Sequence, residues 1–507
     1  MRERFAIGAI LLLYGAALVY EARVTGITVD EPSHLISAHF YWQGRDVLKP
    51  RDMPPAIKIV GGWVPGLFAL PDPAGDAVAW KTQHEWWVAS AMLARMPNEA
   101  IARLIFWSRL PLLLFPLLTA GLIWWWGREL FTPVTGLVLA ALHALEPTAL
   151  GHGCLFKNDH ASAFGLLWFA YRAWRLWASP SRWNVAWLAL ALTVAILTKL
   201  SMLVLVPVAL ALVVWRVRSA WPAVALVGGV YLLTLAACQF ELDRTWWMPR
   251  LYVDGVKAIA DSNASPNAIW FWGERRAGGD WRYFLGAALV KSPLPLLVVL
   301  AASAWRVRSA FVFVPGLAYL ALASATSLQF GFRLALPCLP FAVLACGYAP
   351  AWLRFAALPA MAFMTMLNFP LGLSYYNAIG GAPERAWYYV ADSNIDWGQD
   401  LPRLGEWARR QQVQWISTYY FGNDLPRRYL AEGKFKVLAP PWDPQYAEGE
   451  VLEPKPGLYA VSANMLTGHF FEPKYRNYFA RFRAMKPYAV AGGGIYIYLV
   501  DFKRDGR

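Results

Sequence analysis

The sequence predicts a polytopic α-helical membrane protein carrying a small C-terminal α/β domain outside the membrane. Three observations lead there. Of 507 residues, 58% are hydrophobic and only 16% charged, against roughly 25% charge in a soluble domain. Apolar residues gather in runs close to the ~20 residues that cross a bilayer. From residue 372 onward those runs give way to charge, Pro and Gly. A water-soluble fold of this size could not bury so much apolar surface, so lipid is part of its solvent. Mean hydropathy, +0.35, agrees.

The runs give about eleven candidate spans: 5–20, 103–126, 132–150, 161–177, 184–199, 200–215, 222–239, 284–305, 310–327, 333–349 and 355–371. The stretch 184–215 is one apolar run broken by Lys199 and Ser201, read as a hairpin. The first span follows Met-Arg-Glu-Arg and leads into Tyr20, Glu21 and Arg23 with no small-residue cleavage site. It therefore reads as an uncleaved span rather than a signal peptide. Basic residues orient the set. With a cytoplasmic N-terminus, Arg2, Arg4, Arg128, Arg172, Arg175, Arg182, Arg216, Arg218, Arg306, Arg308 and Arg354 all fall in inner loops, as positive charge does in multi-pass proteins. The net charge of +14 thus speaks for topology, and no nucleic-acid partner is expected. An odd number of spans places the tail outside.

Two domains follow, a membrane part at 1–371 and a tail at 372–507, with long outer loops at 21–102 and 240–283. The apolar stretch 56–70 is too short to span and is expected along the interface, amphipathic or re-entrant. In the tail, 385–391, 414–420, 457–462 and 494–501 read as strands. Asp400 opens a capped helix with Pro402 in its first turn. A helix among strands predicts an α/β arrangement. The four cysteines form no CxxC and read as small buried hydrophobes.

The candidate chemistry begins at Asp30-Glu31-Pro32-Ser33-His34, just beyond the first span. Pro32 suits a first helical turn and either acid suits a cap. The functional reading is a general base at the membrane surface, partly desolvated so that its pKa is tuned for proton abstraction. Lys157-Asn158-Asp159-His160 follows in an outer turn. A tight turn accounts for Asn-Asp; alternatively Asp159 is a second acid that orients substrate. His152 and His160 read as interfacial polar residues or as ligands. Lys157, Lys199, Lys291 and Arg333 all map to outer ends of spans, against the positive-inside bias. Ionisable residues there are expensive and functional by default, although snorkelling explains each singly. Four at one level fit a lipid phosphate or pyrophosphate, which needs paired cationic donors. Trp246, Trp247, Trp270, Trp272 and Trp281 lie in the second outer loop, as interface anchors or sugar platforms.

These features together resemble the GT-C glycosyltransferases of the protein O-mannosyltransferase and lipid A aminoarabinose transferase type, glycosyltransferase family 39. Asp30-Glu31-Pro32-Ser33-His34 resembles the acidic motif of that family's first outer loop, and Arg51-Asp52-Met53-Pro54-Pro55 the Pro-Pro stretch after it. Pro147 through His152 to Asp159 resembles the second acidic loop, and Arg333 through Pro340 a late Arg-x-x-x-Pro span. Asp392-Ser-Asn-Ile-Asp396-Trp-Gly-Gln-Asp400 resembles a motif of bacterial members with a C-terminal periplasmic domain. By its local sequence the same motif reads as turn and cap residues.

The resemblance implies an inverting transferase in a bacterial cytoplasmic membrane. It would move a sugar from a polyprenyl-phosphate donor, undecaprenyl-based, to an acceptor hydroxyl or phosphate. Asp30 would be the base, with Glu31 and Asp159 completing the acidic group. Lys157, Lys199, Lys291 and Arg333 would bind the donor phosphate, and His34, Pro54, Pro55 and His152 would position substrate. Family members differ in metal dependence, which leaves Mg or Mn open, and the sequence shows no convincing metal cage. Membrane lipid and the lipid-linked donor are the expected partners; sugar and acceptor are not named by the sequence. Two other readings compete. A flippase for lipid-linked sugars would place charge near the midplane and show inverted repeats, and no repeat is visible. A scaffold whose tail binds an envelope partner leaves the acids and bases at one face unexplained.

Overall fold

The structure is a computed structural model that describes residues 1–44, 53–82, 84–265, 267–438 and 451–501. Arg51 and Asp52 of the Pro-Pro stretch lie outside the described residues. Four described helices are long and apolar enough to cross a membrane: Arg2–Val24, Asn98–Leu130, Leu200–Val217 and Ala220–Ala237. Two bent pairs, Pro133–Ala144 with Pro147–Gly153 and Tyr283–Lys291 with Leu294–Arg306, raise the number to six. That is fewer than the eleven spans expected, and proline explains part of the difference. Ser292 and Pro293 separate the second pair, which bends by 120°. Proline bars helical geometry at the preceding residue and removes an amide donor. The span expected at 333–349 is likewise split into 3₁₀, α and 3₁₀ pieces, Phe332–Cys338, Leu339–Ala345 and Cys346–Tyr348, with Pro337 and Pro340 inside it. The stretch 184–215 breaks where its charge interrupts it: Arg182–Thr198 ends, Lys199 is extended, and a new helix begins at Leu200.

The first outer loop contributes helices Glu31–Trp42 and Glu85–Ala94, which pack on each other. The stretch 56–70 forms the short apolar piece Ala56–Leu67. The second outer loop holds two hairpins, Leu242–Asp243 with Met248–Pro249 and Ala268–Phe271 with Glu274–Ala277, around helix Arg250–Ala264.

The C-terminal region holds a five-stranded mixed sheet. Its order is Phe435–Val437, Ile416–Tyr419, Gly457–Ser462, Ile495–Val500, Ala489–Ala491, the first three parallel and the last two antiparallel additions. Side chains alternate along a strand, so Ile495 and Ile497 pack with Leu401 and Leu404 of helix Leu401–Arg410. Tyr496 and Tyr498 face the opposite layer of Tyr478, Phe479 and Phe482. The strand expected at 385–391 is instead a 3₁₀ turn, Pro383–Tyr388, followed by one isolated bridge from Val390 to Phe271. Tyr389 and Val390 pack with Ile269 and Phe271 of the second outer loop, while Ala386 and Trp387 pack into the core beside the sheet. Helix Leu401–Arg410 begins where expected, but Asp400 makes no capping bond. Its carboxylate accepts from Gly494 N at 2.8 Å and Gln399 Nε2 at 3.0 Å.

Candidate active site

Asp30 stands at the start of helix Glu31–Trp42, yet its side chain caps nothing. The carboxylate turns outward into a cavity of about 1250 Å³ lined also by His34, Lys157, Asp159, Lys199 and Arg333. Asp30 Oδ2 accepts from Lys157 Nζ at 2.6 Å and lies 3.5 Å from Arg333 Nη2. Arg333 reaches the other way as well, with Nη1 3.9 Å from Asp159 Oδ2. Lys199 Nζ sits 3.9 Å from Asp159 Oδ1. One guanidinium thus bridges the two acids.

The chain places these groups by breaking its helices. Lys157 and Asn158 lie in the turn that opens helix Asp159–Ala178, and Lys199 is the extended residue between two helices. Arg333 follows Gly331, whose φ of 117° suits glycine. A Cβ at Gly331 would lie 2.0 Å from Ser393 Oγ.

Burial alone would raise the Asp30 carboxyl, but Lys157 and then Arg333 outweigh it and hold it well below the ordinary carboxylate range. The desolvation expected of this acid is present and overruled. His34 is shifted down by burial and then by the Lys157 ammonium. Its ring is neutral, so Nε2 accepts from Lys157 Nζ at 2.5 Å. Immediately around Asp30, three cations face two carboxylates and leave one positive charge. Among the described residues, both Asp159 oxygens and Lys199 Nζ lack a hydrogen-bond partner although they are buried. Buried polar groups are almost always bonded, so these are set to receive something.

The remaining candidates lie elsewhere. Glu31 is fully buried and faces Arg109, whose Nε and Nη2 donate to its two oxygens at 2.8 and 2.6 Å. Thr28 N and Phe156 N, both at 2.9 Å, complete its shell. Lys291 Nζ donates to the carbonyls of Leu373 at 2.7 Å and Asn394 at 2.6 Å, away from the cavity. Pro54 and Pro55 are buried ahead of the helix at Ala56, while their neighbour Met53 lines the cavity. The His152 ring lies 6.0 Å from that of Trp397. Among the described residues, no three His, Cys, Asp or Glu side chains gather as a metal ligand set.

Sequence reasoning passed over Arg109 and Trp397. Arg109 interrupts the outer part of the run 103–126 as Lys291 interrupts its own, and that was the available signal. Trp397 belongs to the 392–400 motif, which the structure brings against the site. Asn423 Nδ2 donates to Val29 O at 2.7 Å. The amides of Gly26, Ile27 and Val29 donate to Gln399 O, Asp424 Oδ2 and Trp397 O at 2.9, 3.0 and 2.9 Å. The segment leading into Asp30 is therefore fastened to the C-terminal region.

The apolar helices define a polytopic membrane protein, and its cavity is lined by cations and carboxylates together with apolar side chains. Residues 99–239 match the family described as dolichyl-phosphate-mannose-protein mannosyltransferase, so the resemblance drawn from the motifs is met in that stretch, which holds Lys157, Asp159 and Lys199. That match supports a lipid-linked sugar transferase. The chain is also similar to ArnT from Cupriavidus metallidurans bound to undecaprenyl phosphate, at 14% identity over 97% of each chain and a TM-score of 0.49. The apo state of that protein gives 14% identity over 98% of each chain and a TM-score of 0.44. A comparison with curated proteins gives no match.

Proposed function

We propose that this chain is an inverting glycosyltransferase that moves a sugar from a polyprenyl-phosphate donor to an acceptor hydroxyl at the extracytoplasmic face of the membrane. The observation that carries this reading is Asp30, a carboxylate that caps no helix and is held in the cavity by Lys157 and Arg333. A polyprenyl phosphosugar is a phosphodiester with one negative charge, which matches the single positive excess of the cluster. Lys157, Lys199 and Arg333 would bind the phosphate oxygens, and Asp159 would orient Arg333 and Lys199 between them. The phosphate would compete with Asp30 for its cations and so return basicity to the carboxylate.

In the reaction, Asp30 takes the acceptor proton as the acceptor oxygen bonds to the anomeric carbon. The bond from that carbon to the phosphate oxygen breaks, and its electron pair stays on the phosphate. The leaving group gains charge, and prearranged cations favour that state over the ground state. Lys291 is a structural tie between the membrane part and the C-terminal region.

Positioned general bases contribute about 10²–10⁴ in rate. Asp30→Asn is expected to lower transfer at least ~100-fold, while the protein still purifies as a folded species and still binds undecaprenyl phosphate. Incubation with labelled polyprenyl-phosphate sugars and candidate acceptors, followed by mass spectrometry, reads it out. Full transfer by Asp30→Asn overturns the assigned base, and lipid translocation without transfer by the wild type overturns the enzyme.

A further inference from the structure

Trp397 is a buried residue from the C-terminal motif, 3% exposed. It sits among Ala22, Val29, Cys154, Leu155 and Leu373, and packing alone would account for its burial. Three contacts go beyond packing. The Arg333 guanidinium carbon lies 4.1 Å from the indole centroid, and the Lys157 ammonium 5.5 Å from it. The Trp397 carbonyl accepts from Val29 N, the residue before Asp30, at 2.9 Å. Arg333 also donates through Nε to Ser393 Oγ at 3.0 Å, four residues earlier in the motif.

Both cations that flank Asp30 thus lie within reach of one indole ring. A carboxylate in that place would hold them by neutralising them. An indole face attracts a cation through its quadrupole and leaves its formal charge intact. Lys157 and Arg333 lose rotamer freedom, which a ligand would otherwise have to remove, and keep their charge for an anion. The same residue fixes the backbone at Asp30, so base and cations are set by one side chain and its own peptide.

We propose that Trp397 is a positioning residue through which the C-terminal region sets Lys157 and Arg333 for the donor phosphate. The proposal rests on the reading of the cavity as a phosphate site, and the test separates the two. Trp397→Tyr, Trp397→Phe and Trp397→Leu would be compared in the full-length protein by undecaprenyl phosphate binding, donor kcat and KM, and thermal melting. Lys157→Met serves as the control for the site. Affinity is expected to fall in the order Trp, Tyr, Phe, Leu, with Leu about tenfold or more below wild type, the scale of desolvated cation–π contacts. The loss is expected in KM more than in kcat, with Phe recovering part of what Leu loses at equal melting temperature.

Weaker binding by Lys157→Met with unchanged binding by Trp397→Leu overturns the role of Trp397 and leaves the phosphate site standing. Unchanged binding by Lys157→Met overturns the site itself, and the proposal with it. Affinities that track melting temperature across the series, rather than ring character, reduce Trp397 to packing and overturn the proposal. Where Leu does not fold, the order of Tyr and Phe decides.

Discussion

Asp30 and Glu31 are adjacent in sequence and belong to opposite kinds of charge cluster. Around Glu31 everything is used. Arg109 makes five hydrogen bonds, to both Glu31 oxygens and to the carbonyls of Ala22, Thr25 and Gly26, all between 2.6 and 2.9 Å. Around Asp30 one ion pair is short, at 2.6 Å, and the others are long, 3.5 to 3.9 Å. The Asp159 carboxylate and the Lys199 ammonium there have no hydrogen-bond partner among the described residues. A saturated buried ion pair holds structure, since leaving either partner alone is expensive. An unsaturated cluster that opens on a cavity is built for a ligand. The difference sets a saturated pair beside an unsaturated cluster one residue apart, and it lets each be broken in its own way.

The largest expected effect is on the closed cluster. Removing one partner of a buried ion pair costs about 3–5 kcal/mol. Arg109→Met strands a fully buried carboxylate and three carbonyls, so a loss of stability in that range is expected by melting in detergent. Glu31→Gln combined with Arg109→Met should lose less than the two single changes added, because the pair then fails together. An unchanged melting temperature for Arg109→Met would remove the distinction between the clusters.

The second effect is on pH dependence. Asp30 is held below the ordinary carboxylate range because Lys157 and Arg333 outweigh its burial. A depressed folded pKa means the ionised form, and the stability it brings, is present above the unfolded value and is lost only as pH falls through the folded one. The acid limb of donor kcat/KM that Asp30 sets should therefore lie below the usual carboxylate range in the wild type. Lys157→Met removes the 2.6 Å partner and leaves burial less opposed, so that limb should move to higher pH. His34 loses the same neighbour and also rises; the double variant with His34→Gln isolates the Asp30 part. A limb that stays in place in both variants would show that Lys157 does not set the charge of Asp30.

Much of this was legible in the sequence, because hydropathy and charge act locally. Lys199 predicted the break in the run 184–215, and the alternating runs at 414–420, 457–462 and 494–501 are strands of the C-terminal sheet. Strands Phe435–Val437 and Ala489–Ala491 are three residues long and carry too little alternation to show. The run at 385–391 failed because its apolar residues are divided between the second outer loop and the C-terminal core, a tertiary demand with the same signature as a strand. The gathering of Asp30, Lys157, Asp159, Lys199 and Arg333 around one cavity followed from placing span ends at one level. The separation of Asp30 from Glu31 did not, because both are acids at a helix start and only distant partners tell them apart. Lys157 is 127 residues from Asp30, and Asp424 is 397 from Ile27. No periodicity spans such distances, so the part played by Trp397 had no local sign.

The smallest expected effect tests the open cluster directly. Asp159 and Lys199 face each other at 3.9 Å without a hydrogen bond, beside an open cavity. Both groups are nearly buried, so their attraction exceeds the value of about 1 kcal/mol for unit charges near 4 Å in water, but no hydrogen bond adds to it. A double-mutant cycle of Asp159→Asn and Lys199→Met should therefore give a smaller coupling in stability than that of Glu31 with Arg109, which meet at 2.6 Å. Undecaprenyl phosphate should change the cycle, since an anion between Lys199 and Arg333 excludes water and makes each cation depend on the others. Coupling measured in its presence should exceed coupling in its absence. A value already large without ligand would make this cluster a framework like its neighbour, and the contrast between the two acids would then rest on Asp30 alone.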